Sequence, residues 1–167
     1  MSTYTARFGK VVRELKSTAV VSVNDRYGDT KAPPAQVTAL WDTGAFSSAI
    51  SEKVVDALGL KPVASVRACG VSGWYDSPVF KIDLQLPNQI KITGLPVSLG
   101  KMVAADILIG MDVLSMSDFN FTNNGETVLT IRTPSEGDAP FVADATEEAY
   151  PPSEASRHQA MSIRGAR

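Results

Sequence analysis

Alternating apolar and polar positions recur along the chain and predict strands rather than long helices. The clearest run extends from Phe80 to Leu86, where apolar residues at even positions alternate with polar residues at odd ones. Such a period of two is typical of a half-buried strand. Shorter β-branched or apolar runs predict further strands at 18–23, 37–41, 47–50, 90–93, 119–122 and 127–131, and at Val103–Ile109, which is apolar apart from Asp106.

Turn and cap residues divide these runs. Gly70 to Gly73 lies within a long hairpin predicted over Val63–Leu86, and Asn123-Asn124-Gly125 predicts a second hairpin. Ser51 and Gly59 flank a short predicted helix over Glu52–Leu58, and a helix of one or two turns is expected after Gly110. The first segment, Tyr4 to Leu15, has no clear period.

The length and composition indicate one ordinary globular domain. The chain has 167 residues, of which 44% are hydrophobic and 20% charged. The 16 basic residues are scattered and are balanced by 18 acidic ones, so no nucleic-acid surface is expected. Residues 134–156 hold four prolines and six acidic but no basic residues. We therefore expect a domain over residues 1–133 and a flexible acidic, proline-containing tail over 134–167.

The chain has one cysteine and one histidine, which limits its disulfide, redox and thiolate-metal chemistry. Cys69 is the single cysteine, which excludes an intramolecular disulfide and a thiolate zinc site and favours a reducing compartment. We expect it to be a small apolar filler. His158, in the tail, is expected to be solvated. No stretch approaches the ~20 apolar residues of a membrane span, so a cytoplasmic protein with no membrane partner and no metal is expected.

Candidate chemistry centres on Asp42, which follows the apolar run Ala39–Trp41 and precedes Thr43 and Gly44. Burying a carboxylate costs free energy unless hydrogen bonds, a partner charge or a retained proton compensate. Gly44 lacks a Cβ, which permits a sharp turn and close approach of another group. The triplet alone is equally consistent with an ordinary turn that begins at an aspartate.

Two further features raise the significance of this stretch. The glycine-containing hairpin at 70–73 follows it, and then the run Ile107–Leu114 with a terminal hairpin. In this order, over about residues 8 to 133, the chain resembles the retroviral-type aspartic proteases, the retropepsins, including their single-domain cellular and bacterial relatives. The resemblance implies a mainly β fold, a partly closed β-barrel with one or two short helices, and an active site between two copies of Asp-Thr-Gly. Only one copy is present here, so a homodimer is implied.

The resemblance also implies roles for individual residues. Asp42 of each subunit would activate the water that hydrolyses a peptide bond, so the partners are a second copy and a polypeptide substrate, with no cofactor. Thr43, Gly44 and Ala45 would support the active-site loop, and Gly110 and Asp112 would serve structure near it. The hairpin residues Gly70, Val71, Ser72, Gly73 and Trp74 would form a flap over the substrate.

Two other interpretations remain open at this stage. One is a catalytically silent retropepsin-like dimer that binds peptides or assembles a complex. Trp41 leaves room for it, because the family usually has a smaller apolar residue before the motif. The other is the phosphate-binding loop of the actin and sugar-kinase superfamily, which also contains Asp-x-Gly. The chain is too short for the two large α/β lobes of those ATPases.

Overall fold

The computed structural model describes residues 2–28, 31–70, 73–137 and 147–149, and it is mainly β with two short helices. The strands are β1 (Ser2–Arg7), β2 (Lys16–Val23), β3 (Ala35–Trp41), β4 (Ala49–Ile50), β5 (Ala64–Gly70), β6 (Gly73–Gln85), β7 (Lys91–Leu99), β8 (Ile107–Ile109), β9 (Asp118–Asn124), β10 (Glu126–Thr133) and β11 (Glu147–Ala149). The helices are α1 (Glu52–Leu58) and α2 (Met111–Leu114).

The strands form two sheets. The smaller has the order β11-β1-β10-β9, and the larger has the order β2-β3-β8-β4-β7-β6-β5, with β2 also paired to β6. Strands β3 and β8 run parallel, so that Trp41 pairs with Ile109. Their carboxyl ends therefore lie side by side, and the residues that follow them, Asp42 and Gly110, emerge from neighbouring strands.

One hydrophobic core joins the two sheets. Phe80, Ile82 and Leu84 of β6 are buried, as the alternation predicts, and they belong to the same cluster as Leu129 and Ile131 of β10. Strands β2, β6 and β10 show alternating burial over most of their length. The period of two thus identifies correctly which side chains face the core.

Both predicted hairpins and the first helix are confirmed. Gly125 has φ = 79° between β9 and β10, a backbone conformation that favours glycine. Helix α1 ends at Gly59, whose φ is 57°. Ser51 occupies the N-cap position, but its Oγ is buried and makes no hydrogen bond to any described residue. Docking of the buried side chains Val54 and Leu58 therefore stabilises this short helix.

Two expectations about the strands are wrong in part. No strand is predicted over Tyr4 to Leu15, yet this segment begins with most of β1, in which Tyr4 and Ala6 alternate with polar residues and which pairs antiparallel with β10. Conversely, the strand expected from Val103 starts only at Ile107. Val103 is exposed, and the Asp106 carboxylate accepts a hydrogen bond from Thr38 N at 3.0 Å. The strand therefore begins immediately after Asp106, whose side chain is hydrogen-bonded to the backbone of β3.

A second aspartate stabilises the junction of β6 and β7 at an irregularity in their pairing. Asp83 Oδ1 accepts hydrogen bonds from Asn24 Nδ2 at 2.6 Å and from Gly94 N at 2.9 Å. Burial raises the pKa of Asp83, but these bonds and the Lys91 charge outweigh it and leave the pKa below 3.8. In the part of the chain that the structure describes, no helix has the length and apolarity to span a membrane.

Candidate active site

Asp42 lies in a tight loop at the carboxyl end of β3. Its backbone N donates to Ile109 O of β8 at 3.0 Å, and its Oδ1 accepts a hydrogen bond from Gly44 N at 2.8 Å. Ala45 N donates back to Asp42 O at 3.3 Å. The carboxylate is half-buried. Local backbone hydrogen bonds therefore fix the carboxylate at the edge of the core, which is the compensation that its position in the sequence requires.

The loop residues that follow are open to solvent. Thr43 and Gly44 are exposed, and a Cβ at position 44 would lie 3.2 Å from Asp42 Oδ1. A glycine at this position lets the loop close around the carboxylate without crowding it. Phe46 is 91% exposed only four residues after Asp42. A large apolar side chain so exposed beside a candidate site is a binding candidate that sequence reasoning missed.

A buried hydrogen-bond network holds the far end of this loop. Ser48 is fully buried; its N and Oγ donate to Asp112 Oδ2 and Oδ1 at 2.9 and 2.8 Å. Ser48 Oγ in turn accepts a hydrogen bond from Gly110 N at 3.1 Å. Met111 N donates to Ala45 O at 2.9 Å. The structure therefore brings Gly110 and Asp112 against the loop, and Ser48, which the sequence did not single out, connects them.

Gly110 is required here by close packing of backbone on backbone. A Cβ on Gly110 would lie 2.8 Å from Ser47 C, 2.9 Å from Ser47 O and 3.0 Å from Ala45 O. These contacts are too short for any side chain, and backbone atoms cannot move aside easily. The glycine after β8 therefore allows the loop from Asp42 to Ser48 to pass directly across it.

Trp41 supports the site from the core side. It is 5% exposed, and its Nε1 donates to Ser17 Oγ at 2.9 Å. Its ring lies 6.0 Å from the Phe119 ring, centroid to centroid, in a tilted arrangement. The indole therefore fills the space between β2 and β9, with its polar atom satisfied.

A cleft of about 340 Å³ opens beside Asp42 and Thr43. One wall is formed by the loop between β1 and β2, and the other by the hairpin of β9 and β10. Its lining residues are Val12, Arg13, Glu14, Leu15, Leu40, Trp41, Asp42, Thr43, Phe119, Phe121, Asn123 and Thr127. Glu14 Oε2 lies 2.7 Å from the ammonium group of the buried Lys16, so its charge is already paired.

The start of β9 is anchored by a further carboxylate. Backbone Glu136 N, the Ser135 hydroxyl and the Arg132 guanidinium all donate to Asp118. The hydrogen bond from Glu136 N contributes most, followed by that from Ser135, and together with Arg132 they lower the pKa of Asp118 to about 2. The strand that lines the cleft is thus tied at one end to β10 and to the residues that follow it.

The hairpin of β5 and β6 forms a separate group of candidate residues. Gly70 pairs with Gly73, and Val71 and Ser72 lie outside the described residues. Trp74 is 66% exposed, and the Arg67 guanidinium lies 5.9 Å from its ring centroid. The hairpin therefore presents an aromatic surface to solvent.

The structure also bears on Cys69 and on groups of side chains that could bind a metal ion. Cys69 is exposed on β5, so its assignment as a buried filler is wrong. Over the described ranges, no group of three or more His, Cys, Asp and Glu side chains could hold a metal ion.

Comparison with known proteins identifies the family. The family model described as gag-polyprotein putative aspartyl protease matches residues 33–116, half of the chain, including the Asp42 loop and Asp112. No curated protein matches the chain.

Similar solved structures include the EIAV protease complexed with the inhibitor HBY-793 (15% identity, TM-score 0.45, covering 62% of this chain and 86% of that chain). A second is a retropepsin-like aspartic protease from Rickettsia conorii (14% identity, TM-score 0.48, covering 80% of this chain and 98% of that chain). A third is the retroviral protease-like domain of Ddi1 from Leishmania major (17% identity, TM-score 0.40, covering 73% of this chain and 96% of that chain). On the match of the family model, the chain belongs to the gag-polyprotein putative aspartyl protease family, which confirms the resemblance seen in its sequence.

Proposed function

We propose that the protein is an aspartic endopeptidase that works as a homodimer, with Asp42 of each subunit forming the catalytic pair. The observation that carries this proposal is the geometry of Asp42. Its carboxylate is fixed at the surface of a cleft by Gly44 N, in a loop held by β8 and by the Ser48 network. Family membership supplies the class of reaction.

The other carboxylates near the loop are already engaged, which favours a second chain as the source of the second acid. Asp112 accepts hydrogen bonds from Ser48 N, Ser48 Oγ and Val113 N. Glu14 is paired with Lys16. A two-fold axis beside Asp42 supplies an identical carboxylate without any further sequence requirement.

The chemistry follows from bringing two carboxylates together. At ~3 Å and an effective dielectric constant of ~20, two ionised groups repel by about 5 kcal/mol, so the pair retains one proton. The ionised member takes a proton from a bound water, whose oxygen attacks the peptide carbonyl carbon, and the protonated member donates to the carbonyl oxygen. Proton transfer to the amide nitrogen then allows the C–N bond to break. The titration belongs to the pair, and the pH–rate profile is expected to be bell-shaped.

The remaining assignments complete the proposal. The exposed hairpin with Gly70, Gly73 and Trp74 would cover a polypeptide substrate as a flap. Thr43, Gly44 and Ala45 would support the catalytic loop. The additional pairing of β2 with β6 supports a partly closed barrel.

The domain boundary and the location in the cell remain predictions. We place the protease domain at residues 1–133, the tail at 134–167 and the protein in the cytoplasm. Within that tail, the structure describes β11, which pairs parallel with β1.

The test compares the wild type with Asp42→Asn on a broad peptide library between pH 4 and 7, with molar mass measured in solution. Asp56→Asn makes the same chemical change at an exposed position of α1 and serves as the matched control. We expect cleavage in the wild type and in Asp56→Asn, and at least a ~1,000-fold loss in Asp42→Asn with the dimer retained. Dimers in all three proteins and cleavage in none would favour a silent peptide-binding module instead.

A further inference from the structure

The loop between β1 and β2 places an unpaired cation at the cleft beside Asp42. Arg13 and Asp42 both line this cleft, and Arg13 is exposed. The Arg13 guanidinium forms no ion pair or hydrogen bond with any residue that the structure describes. An exposed arginine is by itself ordinary. The loop that carries Arg13 and the charges around it give this one a specific use.

Hydrogen bonds on both sides of Arg13 hold its backbone in place. On one side, Val12 N donates to the hydroxyl of Thr127 at 3.0 Å, and Thr127 is fully buried. On the other side, Leu15 O accepts a hydrogen bond from Trp41 N at 2.9 Å. The loop is thus tied both to the hairpin of β9 and β10 and to the end of β3. This anchoring fixes the base of the Arg13 side chain at the cleft.

The neighbouring acid, Glu14, is not available to neutralise Arg13. Its carboxylate lies 2.7 Å from the ammonium group of Lys16, whose side chain is only 4% exposed. Among the described residues, no other carboxylate pairs with Lys16. Releasing Glu14 would therefore leave a buried charge uncompensated, at a high cost in free energy. Because Glu14 and Lys16 cancel each other, Arg13 gives this wall of the cleft a net positive charge.

The surroundings of Arg13 strengthen its attraction for an anion. The other residues that line the cleft are mostly apolar and include Leu15, Phe119 and Phe121. Apolar walls focus the field of a charge at a cleft and so raise the local concentration of ions of opposite sign. A guanidinium group suits a carboxylate well, because two of its N–H groups can donate in parallel to the two oxygens.

We propose that Arg13 makes the cleft selective for polypeptides with an Asp or Glu side chain a few residues from the cleaved bond. The inference deepens the proposed function and rests on it, because the cleft belongs to a substrate site only if Asp42 is catalytic. The separation from the cleaved bond follows from charge. The proposed Asp42 pair keeps one negative charge, which would repel a substrate carboxylate placed directly against it. In a two-fold dimer each subunit supplies one Arg13, so an acidic side chain is favoured on each side of the bond.

The experiment measures the preference for a carboxylate over the isosteric amide. In a peptide that the wild type cleaves, Glu and Gln are placed in turn at successive positions on both sides of the cleaved bond. Both ends are blocked, so that no terminal carboxylate contributes. At one position on each side, kcat/KM should be at least ~3-fold higher for Glu than for Gln, as expected for a partly exposed ion pair. The preference should decrease as the salt concentration rises from ~0.05 to ~0.5 M.

Three variants assign this preference to Arg13. Arg13→Gln should abolish it, Arg13→Glu should reverse it to favour Gln at least ~3-fold, and Arg13→Lys should retain part of it. Arg26→Gln is the matched control, because Arg26 is exposed and is not among the residues that line the cleft, so the wild-type preference should remain. The readout is a ratio of two peptides within one variant, so a loss of folded protein cancels from it.

The outcomes separate this inference from the proposed function. Asp42-dependent cleavage with equal rates for Glu and Gln, or with the same preference in Arg13→Gln, would overturn the inference and leave the protease standing. If no peptide is cleaved, binding of the same blocked peptides is measured by fluorescence anisotropy. Tighter binding of the Glu peptides that is lost in Arg13→Gln would support the selectivity of the cleft and overturn the protease. No difference in binding would overturn both.

Discussion

Replacing Ser48 with alanine tests whether the buried network positions the Asp42 loop, the proposed catalytic loop. Ser48 Oγ donates to Asp112 Oδ1 at 2.8 Å and accepts from Gly110 N at 3.1 Å, in a fully buried position. The change removes a charge-assisted bond worth ~1.5–3 kcal/mol and leaves a buried N–H without its acceptor at ~1–3 kcal/mol. Asp112 keeps the bonds from Ser48 N and Val113 N. We therefore expect a loss of about 3 kcal/mol in the free energy of unfolding.

The same variant should lose activity, because the segment from Asp42 to Ser48 would lose both hydrogen bonds of the Ser48 hydroxyl and be held at its far end by backbone hydrogen bonds alone. We expect kcat to fall at least ~10-fold, since small displacements of catalytic groups cost much rate. Unfolding in urea, followed by tryptophan fluorescence at one protein concentration, measures the stability. Ser47→Ala, an exposed neighbour, is the control and should change stability by less than ~0.5 kcal/mol. A loss below ~1 kcal/mol in Ser48→Ala, or one equal to that of the control, would refute the role of the network.

Three other substitutions test separate parts of the site. Gly110→Ala should cost more than ~2 kcal/mol in urea unfolding and abolish cleavage, because its Cβ would lie 2.8 Å from the Ser47 carbonyl carbon; unchanged stability would contradict the close approach. Trp41→Phe should cost ~1–2 kcal/mol in the same assay, because Ser17 Oγ loses its buried partner. The pKa of Asp118 is lowered from 3.8 to about 2, so the stability it provides is complete above pH ~4 and is lost as pH falls toward 2. In thermal melts from pH 5 to 2, the melting temperature of Asp118→Asn should therefore fall less than that of the wild type.

The features that the sequence predicts well depend on residues close together in the chain. The alternation from Phe80 to Leu86 identifies the buried face of β6, and the Asn-Gly pair locates the turn between β9 and β10. The position of Asp42 at the end of β3 follows from the apolar run before it. In each case a local period or turn residue determines the backbone without help from distant segments.

The features that it misses depend on contacts between distant segments. Strand β1 alternates only briefly, with Tyr4, Ala6 and Phe8 apolar before Gly9 ends the run, and its partner β10 lies more than a hundred residues later in the sequence. Ser48 and Asp112 are 64 residues apart in sequence, and only the antiparallel pairing of β4 with β8 brings them together. A serine in a polar loop carries no signal of such a partner. The apolar run from Val103 is likewise shortened by Asp106, through its bond to Thr38.

On the proposed mechanism, one chain positions the Asp42 carboxylate and a second chain supplies its partner acid. Within one chain, Gly44 N, Ile109 O and the Ser48 network already fix the Asp42 carboxylate. On the proposed mechanism the second acid comes from another chain, since among the described residues near the loop Asp112 and Glu14 are engaged elsewhere. Ser48→Ala should thus reduce kcat with the dimer intact. If the activity of Ser48→Ala recovered at high protein concentration, its effect would lie in assembly of the dimer and not in positioning of the loop.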